Sequence, residues 1–349
     1  MISRIVRDSV RDPRMNEALE EAMLLARHEG QPLDTFRVWR NRKAVVLAGN
    51  ELIRLIDQGI RSANEIPIVR RESSGTTMYQ DEGVLNMTCA VDQRVLFPDT
   101  DDLRQIHTRL WKPVVDGISQ WVAHAKPPRY GDDLTIDDEK LCEAWIRFYH
   151  DLVLFQLSVN VDADLGVMNA VLRGQRNFTT LARRLNKTVE VDNVEKCLID
   201  AVTRRFGVEF VDQDFSPLEK SLAHRLYEIK YSREEWNLER KAPLSLKDVL
   251  VEIYVAYPPT ESCRQIVDNI RHAVANVTDA VEVRIWMRGK GLEGKGHPPG
   301  VEMSPALIEA SKKSIIPAVI INGQMTFSRN VPTSKEVRDK ILQTLGRQV

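Results

Sequence analysis

Residues 69–91 combine arginines, small side chains and an asparagine in a pattern suited to binding a small anion. The run VRRESSGTTMYQDEGVLNMTCAV ends a strand on Arg70 and Arg71, and its later strands carry Tyr79 and Asn86. The turn between them consists of small residues, namely Ser73, Ser74, Gly75, Thr76 and Thr77. Small side chains let backbone N–H groups approach an anion, and arginine forks match carboxylate or phosphate. Taken alone, the segment predicts either an anion cradle or a tight turn with solvated arginines.

A second cluster of charged residues lies in the run GDDLTIDDEKLCEAW, residues 131–145. Asp132 and Asp133 precede a short strand, and Lys140 follows a charged hairpin turn. Adjacent carboxylates can hold Mg²⁺ together with substrate phosphates, and a lysine facing them can act as a point charge on an anion. The same pattern is also typical of a solvent-exposed hairpin end, so it predicts a metal and anion site only in combination with other features.

Composition limits the classes of protein to which these clusters can belong. In 349 residues, 49 lysines and arginines nearly cancel 50 aspartates and glutamates, which argues against a nucleic-acid coat or a polybasic membrane-binding protein. Four cysteines without a CxxC pair exclude a disulfide scaffold and a zinc ribbon. No run approaches ~18 apolar residues, which argues against a membrane span. From charge, cysteine usage and hydropathy together, we expect a soluble cytoplasmic protein with no nucleic-acid and no membrane partner.

The elements that must position the two clusters mix helices and strands irregularly, which predicts an α+β fold around a mostly antiparallel or mixed sheet. Strands are expected at 36–39, 44–48, 66–69, 78–79, 84–91, 134–136, 145–148 and 153–161. Helices are expected at 16–28, 52–62, 103–125, 165–171, 178–185, 194–206 and 217–232.

A charged segment, SREEWNLERKAPLS, interrupts this pattern and predicts a boundary between two domains, residues 1–243 and 244–349. The second domain has the order β-α-β-α-β-β-α of a compact α/β unit. Its last two strands are separated by Asn322-Gly323, a strong hairpin signal.

In order along the chain, these segments resemble the catalytic domain of lipoate–protein ligases, within the biotin/lipoate ligase superfamily. VWRNRKAVVLAGN is similar to the opening of that domain, and RRESSGTTMYQDEGVLNMT to its double arginine and Gly-rich turn. LSVNVDADLGVMNAVL and KYSREEWNLERKAP are similar to later segments, and Lys140 matches the catalytic lysine. The resemblance spans residues 1–243 and implies the mixed sheet with helices of class II synthetases and biotin/lipoate ligases.

The resemblance implies an ATP-dependent enzyme that uses Mg²⁺ to activate lipoate or an octanoate-like acid as an acyl-adenylate. A lysine of a lipoyl-acceptor protein then displaces AMP. Lys140 would stabilise the developing negative charge, and Asp132 and Asp133 would face the metal. The substrate and adenylate would be bound by Arg70, Arg71, Ser73, Ser74, Gly75, Thr76, Thr77, Tyr79 and Asn86.

Several positions depart from the family pattern and leave two other interpretations open. Ser74-Gly75-Thr76 replaces three glycines, Gln80 replaces a histidine, and Glu143 brings a carboxylate close to the anion site. One alternative is a catalytically impaired homologue that acts as a scaffold for a lipoylated or thiol partner. The other is acyl transfer through Cys142, although a buried small residue is the favoured interpretation of that position.

The second domain has a resemblance of its own, to the thioredoxin-like fold. Ile316-Pro317 followed by the Asn322-Gly323 hairpin is similar to the proline loop of that fold. Where a redox CxxC would follow the first strand, the chain has Cys263 alone, and a dithiol cycle cannot run on one thiol. We therefore expect an accessory docking module rather than an oxidoreductase.

Overall fold

The computed structural model describes residues 1–123, 125, 128, 133–174, 177–275, 277, 279–294 and 301–346. The chain forms two compact units that divide between Ala242 and Pro243. Among the helices of these described residues, none is both long and apolar enough to cross a membrane.

The first unit contains ten strands and nine α-helices within its described part. The strands are β1 (Ile2–Arg7), β2 (Thr35–Trp39), β3 (Ala44–Leu47), β4 (Ile68–Arg70), β5 (Met78–Gln80), β6 (Val84–Asp92), β7 (Leu134–Ile136), β8 (Glu139–Tyr149), β9 (Leu152–Asn160) and β10 (Glu209–Asp212). The helices are α1 (Pro13–His28), α2 (Gln58–Ala63), α3 (Gln93–Leu96), α4 (Leu103–Ile118), α5 (Leu165–Val171), α6 (Leu181–Leu185), α7 (Val191–Phe206), α8 (Pro217–Leu226) and α9 (Glu234–Asn237).

Seven of these strands form one mixed sheet in the order β10-β1-β2-β6-β9-β8-β7. β1 runs parallel to both β10 and β2, and the remaining pairs are antiparallel. A smaller sheet has the order β4-β3-β5. The α+β architecture with a mixed sheet is therefore confirmed.

The two faces of the large sheet are covered differently. On one face, α4 and α7 complete an apolar core around Trp111, Leu110 and Phe155. On the other face, α1 buries three acidic side chains, Glu17, Glu20 and Glu21, against the sheet. The Arg71 turn and the Lys140 cluster lie on this second, polar face.

Some expected helix boundaries are wrong because a cap or a backbone contact intervenes. The segment predicted as one helix at 52–62 is a 3₁₀ turn (Ile53–Leu55) followed by α2, since Asp57 caps α2 and its own N–H bonds to Val171. α4 ends at Ile118, earlier than predicted. The helix predicted at 217–232 is α8 continued by a π-helical turn, Tyr227–Tyr231. β1 and β10 were not predicted; four successive residues of β1 are buried, and they include the charged Arg4.

The second unit contains a five-stranded sheet in the order β13-β12-β11-β14-β15. β11 and β12 are parallel, and the other neighbours are antiparallel. α10 and α12 pack in one apolar core, and α11 in another. Asn322 and Gly323 both have positive φ and join β14 to β15, as the hairpin signal predicts. The elements are β11 (Val249–Val255), α10 (Glu261–Val274), β12 (Val281–Met287), β13 (Gly291–Leu292), α11 (Pro305–Lys312), β14 (Ala318–Ile321), β15 (Gln324–Ser328) and α12 (Ser334–Thr344).

Candidate active site

The turn of small residues after β4 is closed around the side chain of Arg71. Its Nη2 donates to the carbonyl oxygens of Ser74 (3.1 Å) and Thr76 (2.9 Å), and its Nε donates to Ser73 Oγ (3.1 Å). Gly75 has φ +116°, and a Cβ there would lie 1.9 Å from Cδ1 of Trp145. Both the backbone conformation and the space therefore require glycine at this one position.

Arg71 and Trp145 fill the space behind the turn. The guanidinium carbon of Arg71 lies 3.8 Å from the centre of the Trp145 ring, and both side chains are buried. Burial lowers the pKa of Arg71 to about 10, while the carboxylates of Glu17 and Glu143 oppose that shift. Nη1 of Arg71 finds no hydrogen-bond partner among the described residues. A buried donor of this kind is available to an anionic ligand.

Lys140 is joined to the turn through two carboxylates. Its Nζ lies 2.5 Å from Oδ2 of Asp133 and 3.2 Å from Oε1 of Glu143. The hydroxyl of Thr76 donates to the other Glu143 oxygen at 2.9 Å. Burial lowers the pKa of Lys140, but Glu143 and Asp133 raise it by more, so the amine stays charged.

A β-bulge explains why Lys140 and Glu143 meet. β7 pairs Leu134 with Cys142 and then Thr135 with Lys140, so Leu141 is an extra residue in β8. Strict alternation would place residues 140 and 143 on opposite faces of the sheet. The inserted residue brings both side chains to the polar face and leaves Cys142 in the apolar core.

Cys142 is therefore no nucleophile of this site. Its side chain is fully buried among the apolar core residues. Burial, together with Asp133 and Glu143, raises the pKa of the thiol well above its ordinary value. The interpretation of Cys142 as a buried small residue is confirmed, and transfer through its thiolate loses its basis.

A chain of hydrogen bonds anchors the turn to helix α1. Ser73 Oγ donates to Gln156 Oε1 at 2.7 Å, and the Gln156 amide donates to Glu20 at 3.2 Å. Glu20 also accepts from Arg37 at 2.8 Å. Because each link in this layer is buried, the position of the turn depends on side chains from β9, α1 and β2.

Four of the predicted binding residues make their described side-chain hydrogen bonds outside the Arg71–Lys140 cluster. Arg70 donates to backbone carbonyls of Ala48, Gly49, Glu51 and Trp236, so its guanidinium serves the structure around the turn at 48–51.

The other three have separate surroundings. Thr77 Oγ1 accepts from the Ala48 N–H. Tyr79 lines a cavity of about 730 Å³ together with Asp81 and Asp162. Asn86 bonds to Gln80 and Ser158 in the polar layer.

The predicted metal ligands are only partly accounted for. Asp132 lies outside the described residues, and Asp133 is paired with Lys140. Within the described part of the chain, no group of three or more His, Cys, Asp or Glu side chains is placed to hold a metal ion. The assignment of both aspartates to Mg²⁺ stays a prediction.

Several residues that support the cluster were not predicted from the sequence, or were noted only as departures from the family pattern. Glu17 and Glu20 lie in the predicted first helix and were not singled out, although both are buried. For Trp145, the sequence predicts only a place in a strand. A usable signal existed for the strand, because Glu143, Trp145 and Arg147 alternate with apolar neighbours.

Comparison with known proteins identifies the first unit. The family described as "Lipoyl protein ligase A/B catalytic domain" matches residues 12–205. A relative named lipoate-protein ligase A subunit 1, from Thermoplasma acidophilum, is 25% identical over 247 residues, covering 64% of this chain and 92% of the relative.

Solved structures show the same fold. A lipoate-protein ligase A bound with ATP has a TM-score of 0.62 and 23% identity, over 68% of this chain and 99% of that one. A structure of a bi-partite lipoate protein ligase and its E2 lipoyl domain, from Thermoplasma acidophilum, has a TM-score of 0.61 and 22% identity, over 68% and 96%. The chain belongs to the lipoyl protein ligase A/B catalytic domain family.

Proposed function

We propose that this protein activates lipoate, or a related medium-chain acid such as octanoate, with ATP and transfers the acyl group to a lysine of a lipoyl-acceptor protein. The observation that carries the proposal is the partly buried Lys140, which is linked through Glu143 to the turn closed around Arg71. The names of the relatives support the ligase activity, and the ATP-bound neighbour supports the nucleotide.

In the first step, a carboxylate oxygen of the acid attacks the α-phosphorus of ATP, and pyrophosphate leaves. The Lys140 ammonium would stabilise the negative charge that develops on the carboxylate and α-phosphate oxygens. Nη1 of Arg71 is the donor free to bind an anion at the turn. Arg70, whose guanidinium holds the 48–51 backbone, would act by positioning the turn.

In the second step, the ε-amine of the acceptor lysine attacks the acyl carbon, AMP leaves, and the amine gives up a proton to form the amide. No side-chain nucleophile of this chain is needed. Mg²⁺ would neutralise substrate phosphates, and Asp133 would hold it, since its carboxylate is 18% exposed beside Lys140 and Mg²⁺ commonly binds one or two carboxylates together with phosphates. The lipoyl-domain structure among the neighbours supports such an acceptor.

The test is incubation of the full chain with lipoate, MgATP and a lipoyl-domain acceptor. We expect AMP release and addition of a lipoyl mass to the acceptor. Lys140→Ala should lower the rate by ~10²–10³, as expected when one electrostatic donor is removed. Lys187→Ala, at an exposed lysine of the same unit, is the matched control. Equal rates for the wild type and Lys140→Ala would remove the proposed mechanism.

We propose further that the second unit is thioredoxin-like and has no redox cycle of its own. Its strand order and the parallel pair β11–β12 support the fold. Cys263 is fully buried, with the Ala256 N–H 3.4 Å from its sulfur. Oxidation by hydrogen peroxide should leave the mass of the full chain's Cys263 peptide unchanged. A disulfide or sulfenic acid at Cys263 would contradict the proposal.

The alternative function is binding without catalysis, and one observation favours it. Trp145 lies against Gly75, and Glu143 lies on Lys140, so this chain's own side chains occupy the space around the turn. A scaffold protein would bind lipoylated acceptor domain but neither ATP nor an acyl-adenylate. Isothermal titration calorimetry of the full chain with ATP separates the two functions, since ATP binding supports the ligase.

A further inference from the structure

Glu143 holds the position that an anionic ligand would take at this site. Its carboxylate lies between the Lys140 ammonium, at 3.2 Å, and the Thr76 hydroxyl, at 2.9 Å. The side chain is 1% exposed, so water does not screen these contacts. A lysine ammonium and a turn hydroxyl are donors that a carboxylate or phosphate oxygen of a ligand would also use.

The charges that face Glu143 show that the cluster is already balanced. Lys140 and Arg71 supply two positive charges, which the carboxylates of Asp133 and Glu143 and, beside Arg71, that of Glu51 offset. From α1, Glu17 faces Arg71 with a pKa raised to about 8, chiefly by burial, so it is largely protonated at neutral pH. An added phosphate or carboxylate would therefore meet no net positive charge.

Displacement of Glu143 would leave a site in which hydrogen-bond donors outnumber carboxylates. Without that carboxylate, the Lys140 ammonium is shared only with Asp133, and the Thr76 hydroxyl loses the acceptor described for it. The unpartnered Nη1 of Arg71 adds a third donor near the same turn. Three donors with one residual carboxylate form a site for a singly or doubly charged anion.

We infer that Glu143 is an internal anion in the acyl-adenylate site, and that the phosphate or carboxylate of a ligand binds by displacing it from Lys140 and Thr76. This inference rests on the proposed function, because it assigns the ligand class of the same site. Glu143 thereby determines specificity: it selects against weakly bound free anions and admits a ligand whose other parts also bind. Removing its charge should tighten the binding of anionic ligands and leave neutral ones unaffected.

The experiment compares AMP with adenosine, which lacks the phosphate, by isothermal titration calorimetry on the full chain. The variants are Glu143→Gln, which keeps the shape, and Glu143→Gly, which also removes the side chain. Glu139→Gln is the matched control, because Glu139 lies in the same strand but pairs with Arg184. Loss of a buried competing charge should raise the affinity for AMP about tenfold or more in both Glu143 variants. Adenosine affinity should not change.

Each outcome decides a different point. Tighter AMP binding by the Glu143 variants, with unchanged adenosine binding, supports the inference, and it does so most strongly if the wild type binds AMP too weakly to measure. If the wild type binds AMP and both Glu143 variants bind it equally well or more weakly, the inference is overturned and the proposed ligase function stands. Failure of wild type and variants alike to bind AMP overturns both. A thermal melt of each variant checks that the fold is retained.

Discussion

The two faces of the seven-stranded sheet differ in what they bury, and strand β9 shows the contrast most directly. All of its residues are buried. Phe155, Leu157 and Val159 belong to the apolar core beneath α4 and α7, whereas Gln156 and Ser158 enter the polar layer with the turn and α1. Burying polar groups costs free energy unless each is paired. The polar face therefore contributes less to stability and more to positioning the turn.

Truncated side chains on the two faces should therefore destabilise the protein for different reasons. A truncation on the apolar face leaves a cavity, and its cost follows the volume that is lost. A truncation on the polar face leaves a charge or donor without its partner, and its cost follows desolvation. Three substitutions test this contrast, in decreasing order of expected effect.

The largest effect is expected for Trp111→Ala on the apolar face. Trp111 is fully buried in α4 and packs edge-on against Phe155, with ring centres 6.2 Å apart. We expect the free energy of unfolding to fall by about 3–5 kcal/mol, measured by urea titration. Trp111→Phe should cost clearly less, because it retains much of the packing. Equal losses for the two variants would mean that cavity volume does not govern this face.

An intermediate effect is expected for Arg37→Met on the polar face. Arg37 is fully buried and pairs with Asp8 at 2.7 Å and Glu20 at 2.8 Å. Its removal leaves two carboxylates without their cation and should cost about 3 kcal/mol. Part of this loss in stability should be recovered. Burial already raises the pKa of Glu20, so this carboxylate can take up a proton when its cation is removed.

Arg7→Met provides the matched control for that experiment. Arg7 also pairs with two carboxylates, Glu195 and Asp212, but its side chain is 44% exposed. Exposed pairs contribute about 0–1 kcal/mol, so the control should be nearly neutral. A comparable loss in both variants would show that burial is not what distinguishes the polar face.

The contrast between the faces also explains how much the sequence could predict. The apolar face could be predicted from the sequence, because Ile106, Leu110 and Val114 recur at helical spacing in a long amphipathic segment. The Arg71 turn and Lys140 were predicted from composition and resemblance. The link between the turn and Lys140 through Glu143 was not predicted, because it depends on a bulge at Leu141 that strict alternation does not reveal.

The polar layer was the least predictable part for a similar reason. A glutamate in a helix is ordinarily exposed, so nothing local indicates that Glu17 and Glu20 are buried. Their burial requires Arg37 and Arg71, which come from distant strands and turns. Local patterns report periodicity, whereas a buried charge network is specified by partners that are far apart in sequence.

The smallest effect, and the only one expected to stabilise the protein, is that of Glu17→Gln. Burial, reinforced by Glu20, raises the pKa of Glu17 to about 8 from an ordinary 4.5. The folded state therefore holds a proton that the unfolded chain has released, and this contribution to stability is lost as pH rises toward the folded pKa. Between about pH 7 and pH 8 the wild type should lose about 1 kcal/mol through this group.

Glutamine keeps the shape of the protonated side chain and does not titrate, so the Glu17→Gln variant should lack that pH-dependent loss. Urea titrations at both pH values measure the difference between the two proteins. Glu29→Gln is the control, because Glu29 is exposed at the end of the same helix and should leave the wild-type slope intact. An unchanged slope in Glu17→Gln would mean that Arg37 and Arg71 keep Glu17 ionised. The polar face would then hold one more buried negative charge, and the Arg71 turn would be less able to accept an anion.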